Sequence, residues 1–251
     1  MTPRYAIIAE QIQRSLTHDH IPSAYYQDIV EACTNQEPAL RFETVSFLAQ
    51  TQMRHILDPL AEGCLISFLR CSPPGEDGRV RTLYHASSLG TVECLERQTE
   101  LIFIGSNSMS GQCVLRERDL LYEGHQVNKR LRSLFLEGPL MSVFVTPLRI
   151  QGGGIGGALT ISSIREGFFT PERIALLHAY AELVVHAIPS CEMYSLLDLS
   201  PVPNVSQQRP ILEMLRHDPD RYFSLGNAEE AVLAYRGHIP SIRERSWMER
   251  E

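Results

Sequence analysis

The sequence lacks the features that define several classes of protein. It has no apolar run approaching the roughly 20 residues that a helix needs to cross a bilayer. Basic residues are outnumbered, with 23 Lys+Arg against 30 Asp+Glu and a net charge of −7, whereas a broad nucleic-acid surface needs a basic excess. The first apolar stretch ends at Glu10, too early for a secretory signal. We therefore expect a cytoplasmic protein that binds neither nucleic acid nor membrane.

The six cysteines show no spacing typical of a metal site or a redox pair. They lie at positions 33, 64, 71, 94, 113 and 191, without a C-x-x-C pair or a zinc-type Cys/His arrangement. Several are embedded in apolar stretches, as Cys64 and Cys113 are. Because cysteine is among the most often buried residues, we interpret them as buried free thiols that pack like small apolar side chains.

The clearest local pattern runs from Ser142 to Ile188. Apolar residues stand at nearly every position on both sides of the three glycines at 152–154, which predicts two strands buried on both faces. The glycines predict a turn with positive φ. Thr170 is a suitable N-cap and Pro171 fits the first helical position, so an amphipathic helix is expected to follow.

The preceding part of the chain predicts a long helix and a hairpin. Residues 38–57 carry apolar side chains at helical spacing, and Cys64–Cys71 has the composition of a strand. After a turn-rich loop, residues 79–87 alternate polar and apolar side chains as a half-buried strand does. Residues 91–104 predict a short helix, and 119–123 a short strand.

Composition divides the chain into three parts. Residues 1–37 predict a helical extension, and 38–188 hold the ordered pattern of helices and strands. Repeated prolines after Ile188 indicate that 189–251 is a linker followed by an irregular tail.

Four segments in this order resemble a GAF domain, a small-molecule-binding module of signalling proteins. Met109–Val114 resembles the G-x-V helix of that family, and Ser142–Leu148 its penultimate strand with a P-L ending. Ile155–Leu159 resembles the strand written iGvL, and Phe168–Ile188 the F-x-x-x-D/E-x-x-L-L-x-x-x-A helix. The resemblance covers residues 38–188.

The resemblance implies an α+β fold, in which a central, mostly antiparallel sheet is flanked by helices on both faces. It implies a ligand pocket on one face under the segment 91–138, and a homodimer formed through the flanking helices. The preferred interpretation is a non-catalytic regulatory or sensory protein that binds a small ligand or a protein partner. It would signal through its terminal helices to an output protein on another chain.

Strand alternation and the resemblance together predict the residues around this pocket. They are Phe68, Tyr84, Phe103, Ser110, Cys113, Tyr122, Phe144 and Thr160. Because a shift by one residue moves every side chain of a strand to the other face, ordinary core packing is the alternative for each of them.

Within the family, pigment binding and nucleotide binding have recognisable sequence patterns. Covalent bilin attachment needs a cysteine before the closing strands, and residues 128–137 contain none, so we expect no bilin. Asn128, Lys129 and Phe135 resemble the start of a cyclic-nucleotide motif, but the acidic pair that completes it is missing. The ligand therefore stays open.

Two other functions stay open as well. Gly111–Val114 resembles the G-V-C-G segment of methionine-sulfoxide reductases built on this fold, so Cys113 is the alternative catalytic residue of a thiol-redox protein. Arg116 and Arg118 are expected to lower the pKa of its thiol, although a partner cysteine is missing. The last alternative is an adaptor or assembly protein with a degenerate pocket.

Overall fold

One six-stranded sheet organises the chain. In the computed structural model, residues 21–75, 77–91, 103–106, 108–124, 140–150 and 153–201 are described. The strands are β1 (Cys64–Cys71), β2 (Leu83–Gly90), β3 (Phe103–Ile104), β4 (Leu120–Glu123), β5 (Ser142–Arg149) and β6 (Ile155–Ser163). Their order across the sheet is β3-β2-β1-β6-β5-β4, and the described neighbours pair antiparallel.

Helices cover both faces of this sheet. The described α-helices are α1 (Ser23–Asn35), α2 (Pro38–Leu57), α3 (Met109–Arg116) and α4 (Pro171–Val184). The first two and α4 pack on one side, which we call the helical face, and α3 packs on the other, which we call the α3 face. The predicted architecture, an α+β fold with a mostly antiparallel sheet between helices, is confirmed.

The helical face holds the larger core. Its strand residues alternate with those of the other face, as the pleat of a sheet requires, and are at most 1% exposed. They are Cys64, Ile66, Phe68, Phe144, Leu148, Leu159 and Ile161. The helix α4 starts at Pro171 as predicted, because the Thr170 hydroxyl accepts a hydrogen bond from the Arg173 amide at 3.4 Å.

The α3 face has a smaller apolar layer. Leu69 and Cys71 of β1 pack there with Val143 and Val145 of β5 and with α3. The helix lies very close to the preceding loop, since a Cβ on Gly111 would be 2.2 Å from the Gly105 carbonyl oxygen. Only glycine permits this approach at that position.

The boundaries of the hairpin differ from the prediction. The strand β1 and the helix α2 have the predicted limits, but β2 begins at Leu83 rather than at Arg79. Residues before Leu83 bond elsewhere, since the Arg79 carbonyl accepts from Gly75 and the Val80 amide donates to Asp198. A bulge between Phe68 and Leu69 of β1, with its extra residue on β2, also breaks the alternation on which the prediction depended.

The predicted glycine turn joins β5 to β6, but its two described glycines lack the predicted positive φ. Neither Gly153 nor Gly154 has a positive φ, and residue 152 lies outside the described residues. A glycine is needed instead at 157, where a Cβ would be 1.9 Å from the Leu69 carbonyl oxygen of β1. Close contact between strands, rather than turn conformation, explains this glycine.

Residues 189–201, predicted as part of a linker, lie against the sheet. We call them the strap. Tyr194 pairs with Ile155 through two backbone hydrogen bonds of 2.8 and 3.1 Å, and the Ser200 amide donates to the Val80 carbonyl at 2.9 Å. The carboxylate of Glu192 forms an ion pair with Arg70 of β1. The part of the chain after residue 201 lies outside the described residues.

The predicted N-terminal extension includes a helix that belongs to the core. Tyr25, Ile29 and Ala32 of α1 are at most 6% exposed and join the core of the helical face. The first 20 residues lie outside the described residues, as does most of the predicted cover at 91–138.

None of the described helices combines the length and the apolar character that crossing a membrane demands.

Candidate functional site

A row of polar side chains crosses the middle of the α3 face. Ser88 of β2, Ser67 of β1 and Thr160 of β6 stand opposite one another on three adjacent strands. His85 and Ser110 of α3 extend this row at its two ends. We call these five residues the polar row. Adjacent strands are about 4.8 Å apart, so the three strand positions cover about 10 Å of the sheet.

Hydrogen bonds join the residues of the polar row in two groups. The Ser88 hydroxyl donates to the Ser67 hydroxyl at 3.0 Å and lies 3.2 Å from Nδ1 of His85. At the other end, the hydroxyls of Ser110 and Thr160 are 3.0 Å apart. These bonds restrict the rotamers of the side chains that form them.

The polar row is only partly enclosed. Ser67 and Ser110 are buried, whereas His85, Ser88 and Thr160 are half-buried. Burial lowers the pKa of His85 from 6.5 to about 4, because the protonated ring loses hydration there. The imidazole is therefore neutral near pH 7, and the row presents hydroxyls and an uncharged ring.

Two of the predicted pocket residues, Ser110 and Thr160, meet in the polar row. Cys113 of α3 is fully buried in the apolar layer of the same face, and Tyr122 of β4 packs against that layer. The structure therefore brings these four residues to the α3 face, although Cys113 is enclosed by core side chains.

Phe68 and Phe144 require a correction of the predicted pocket, because they lie on the face of the sheet opposite to the polar row. Both are at most 1% exposed and belong to the core under the helices, where Phe68 contacts Phe42 with ring centroids 6.2 Å apart. The sheet separates them from the polar row. Both residues therefore have the alternative role considered in the sequence analysis, which is core packing.

Tyr84 also lies away from the polar row. It stands opposite Arg70 in the β1–β2 pair, and the Arg70 guanidinium lies 4.8 Å from the ring centre of Phe42 on α2. Tyr84 therefore shares the helical face. Phe103 pairs with Tyr84 in β3, and its side chain lies outside the described residues.

The Cys113 thiol does not have the expected electrostatic surroundings. Burial raises its pKa, the Asp119 carboxylate raises it further, and Arg149 only partly opposes them. Arg116 and Arg118 were expected to lower it, but neither contributes. A buried thiol with a raised pKa is a poor nucleophile, since the thiolate is the reactive form.

Sequence reasoning missed Ser67, His85 and Ser88. Strict alternation places His85 and Ser88, three residues apart, on opposite faces of β2. The bulge makes Ala86 the extra residue, so that His85 pairs with Leu69 and Ser88 with Ser67 on one face. The cluster of small polar residues in H-A-S-S is visible in the sequence. The strand register that places it beside Ser67 is not.

In the part of the chain that the structure describes, no group of three or more His, Cys, Asp or Glu side chains converges that could bind a metal ion. The hydroxyl and imidazole groups of the polar row are instead suited to hydrogen bonding with an organic ligand.

Comparisons with known proteins report similarity of structure. No family model matches the sequence, and no curated protein matches it significantly. Among solved structures, the fRMsr of Staphylococcus aureus in complex with substrate has 15% identity and a TM-score of 0.46, covering 67% of this chain and 98% of its own. The type II free methionine-R-sulfoxide reductase from Thermoplasma acidophilum has 18% identity and a TM-score of 0.43, covering 60% and 97%.

A GAF domain from an Acinetobacter phosphoenolpyruvate-protein phosphotransferase has 13% identity and a TM-score of 0.44, covering 65% of this chain and 89% of its own. The similar structures thus include both GAF domains and reductases. Similarities of this size assign no activity to the present chain.

Proposed function

We propose that this chain is a non-catalytic GAF-type regulatory protein that binds a small molecule over the polar row. The observation that carries the proposal is a hydrogen-bonded row of polar side chains in the centre of a sheet face, where apolar residues would stabilise the fold more. Replacing both partners of a buried hydrogen bond by apolar groups can be neutral or stabilising, so stability alone does not explain the polar side chains and their presence favours a binding role.

The position of the row suggests how binding would reach the rest of the molecule. Thr160 lies between Leu159 and Ile161, which belong to the core under the helices on the opposite face. A shift of β6 on ligand binding would therefore change packing beneath α1, α2 and α4. Such a ligand acts only through its different affinities for two conformations. The output would lie in another protein.

The thiol-redox alternative gains no support from the site. Cys113 is fully buried, its pKa is raised, and Cys64 and Cys71 are buried as well. A turnover enzyme needs an accessible thiolate and a thiol that resolves the intermediate. The proposal therefore gives Cys113 a packing role.

The proposal includes a homodimer formed through α1. Tyr26 and Val30 are 43% and 63% exposed and stand four residues apart, so they form an apolar strip on the outside of the helix. We expect Val30→Glu to shift the protein toward the monomer in analytical ultracentrifugation. A sedimentation coefficient identical to that of the unmodified protein would contradict the use of this helix.

Native mass spectrometry of the chain purified from its own source tests ligand binding. We expect a bound small molecule, which is then added back to apo protein in a thermal-shift assay. Adjacent serines provide a matched pair, because Ser88 belongs to the polar row whereas Ser87 bonds Ser46 of α2 at 3.2 Å on the other face.

The Ser88→Ala variant should lose most of the ligand-induced rise in Tm, and Ser87→Ala should retain it. If no molecule is bound, or if both variants respond equally, binding at the polar row is contradicted. The adaptor alternative would then be preferred.

A further inference from the structure

We propose that the part of the ligand that contacts the sheet is uncharged, and that it is a carboxamide, a hydroxyl or a heteroaromatic nitrogen rather than a carboxylate, phosphate or ammonium group. The inference rests on the proposed function, because it concerns the ligand of the same polar row.

The strands around the polar row are nearly free of charge. Over β1, β2, β5 and β6, the Asp, Glu, Lys and Arg residues are Arg149, which ends β5, and Arg70. Its side chain is on the helical face, where it contacts Phe42 and pairs with Glu192. At the position of the polar row, these strands therefore offer a ligand on the α3 face no formal charge as a partner.

The charged groups described near α3 are at its other end. Arg149 donates to the Glu117 carbonyl at 3.2 Å, just after the last helical residue, and is exposed. Ser110, which contacts the row, stands at the start of this helix. At 1.5 Å per residue the helix separates the two by about 10 Å. Arg149 is thus too far from the row to neutralise an anion bound there.

The cost of desolvation then favours an uncharged ligand group over a charged one. An ion moved into a partly buried site without a counter-charge loses more free energy than a neutral group that forms hydrogen bonds there. The low pKa of His85 is the same effect seen on a side chain of the row. The protein disfavours even its own cation at this place.

Ser162 adds an available neutral partner. It is 5% exposed and stands in register with Val143, a residue of the apolar layer on the α3 face. Its hydroxyl has no hydrogen-bond partner among the residues that the structure describes. A hydroxyl donates as well as accepts, so it suits an amide or a hydroxyl better than an acceptor-only anion.

The test uses probes that share one ring and differ in charge: nicotinamide, nicotinate and 3-(aminomethyl)pyridine. Their Kd values are measured by NMR on the full chain, following the His85 ring signals, which are assigned by their loss in His85→Gln. Ser88→Ala and Ser87→Ala are measured in parallel, with benzamide and benzoate as a second pair.

We expect the amides to bind about 10-fold or more tightly than their charged counterparts, a difference of about 1.4 kcal/mol. Ser88→Ala should weaken the amides, and Ser87→Ala should not. If the charged probes bind equally or more tightly at the same signals, the inference is overturned while the binding site stands. If no probe perturbs His85 and no native ligand is found, both the inference and the proposed function fail.

Discussion

The two faces of the sheet use similar strand positions for different purposes. On the helical face, Phe68 and Phe144 fill a core with three helices, and the charge of Arg70 is paired with Glu192. On the α3 face, the neighbouring position Ser67 joins a polar row that contributes little apolar burial. Stability is therefore concentrated on one face, which leaves the other free to carry the polar groups that we propose serve binding.

The largest effect is expected in the core of the helical face. Phe68→Ala should reduce the free energy of unfolding by about 3–5 kcal/mol, because it leaves a cavity among fully buried side chains. Denaturant unfolding provides the measurement, and Leu121→Ala, at a residue 43% exposed, should cost well under about 1 kcal/mol. A small loss for Phe68→Ala would restore it as a pocket residue.

The next effect concerns the charge on the helical face. Glu192→Gln leaves the Arg70 side chain, 11% exposed, without its counter-ion, so a loss of about 1–3 kcal/mol is expected. Glu62→Gln is the control, since Glu62 pairs with Arg165 and both side chains are about 40% exposed. There the loss should be below about 1 kcal/mol. Equal losses would mean that burial does not make the Arg70–Glu192 ion pair more important for stability than the exposed Arg165–Glu62 pair.

The His85 imidazole makes the α3 face sensitive to pH. Its pKa is about 4 in the folded chain and 6.5 ordinarily, so between these values the unfolded chain binds more protons. Stability contributed by His85 is complete above pH 6.5 and is lost as the pH falls toward 4, by about 1–3 kcal/mol. His85→Gln should flatten this part of the stability profile. If stability depends on pH in the same way in His85→Gln and in the unmodified protein, the His85 ring is not buried in its neutral form.

The smallest effect is expected at Ser162. Ser162→Ala should change the free energy of unfolding by less than about 0.5 kcal/mol, because no described partner loses a hydrogen bond. Ser142 is the matched serine, fully buried, and its hydroxyl donates to the Arg165 carbonyl at 2.6 Å. Ser142→Ala should cost about 1–2 kcal/mol. The reverse ranking would show that the hydroxyl of Ser162 stabilises the fold.

Much of the fold was predictable, because local patterns determine where helices and strands form. The limits of β1 and α2 and the Pro171 helix start follow from apolar spacing and capping. Two of the five residues of the polar row, Ser110 and Thr160, also stood among the predicted pocket residues. The assignment of Phe68 and Phe144 failed because their own strands read as apolar on both faces, which leaves the face of each residue undetermined.

The sequence by itself determined the α+β class, the order of elements apart from β3, and the resemblance to GAF domains, because these depend on residues close together in the chain. Tertiary structure alone decided which face each strand residue takes and that the strap joins the sheet. It also decided that His85, Ser88, Ser67, Thr160 and Ser110 meet. Those outcomes depend on a bulge and on the pairing of distant strands, and both are settled by packing across the whole sheet.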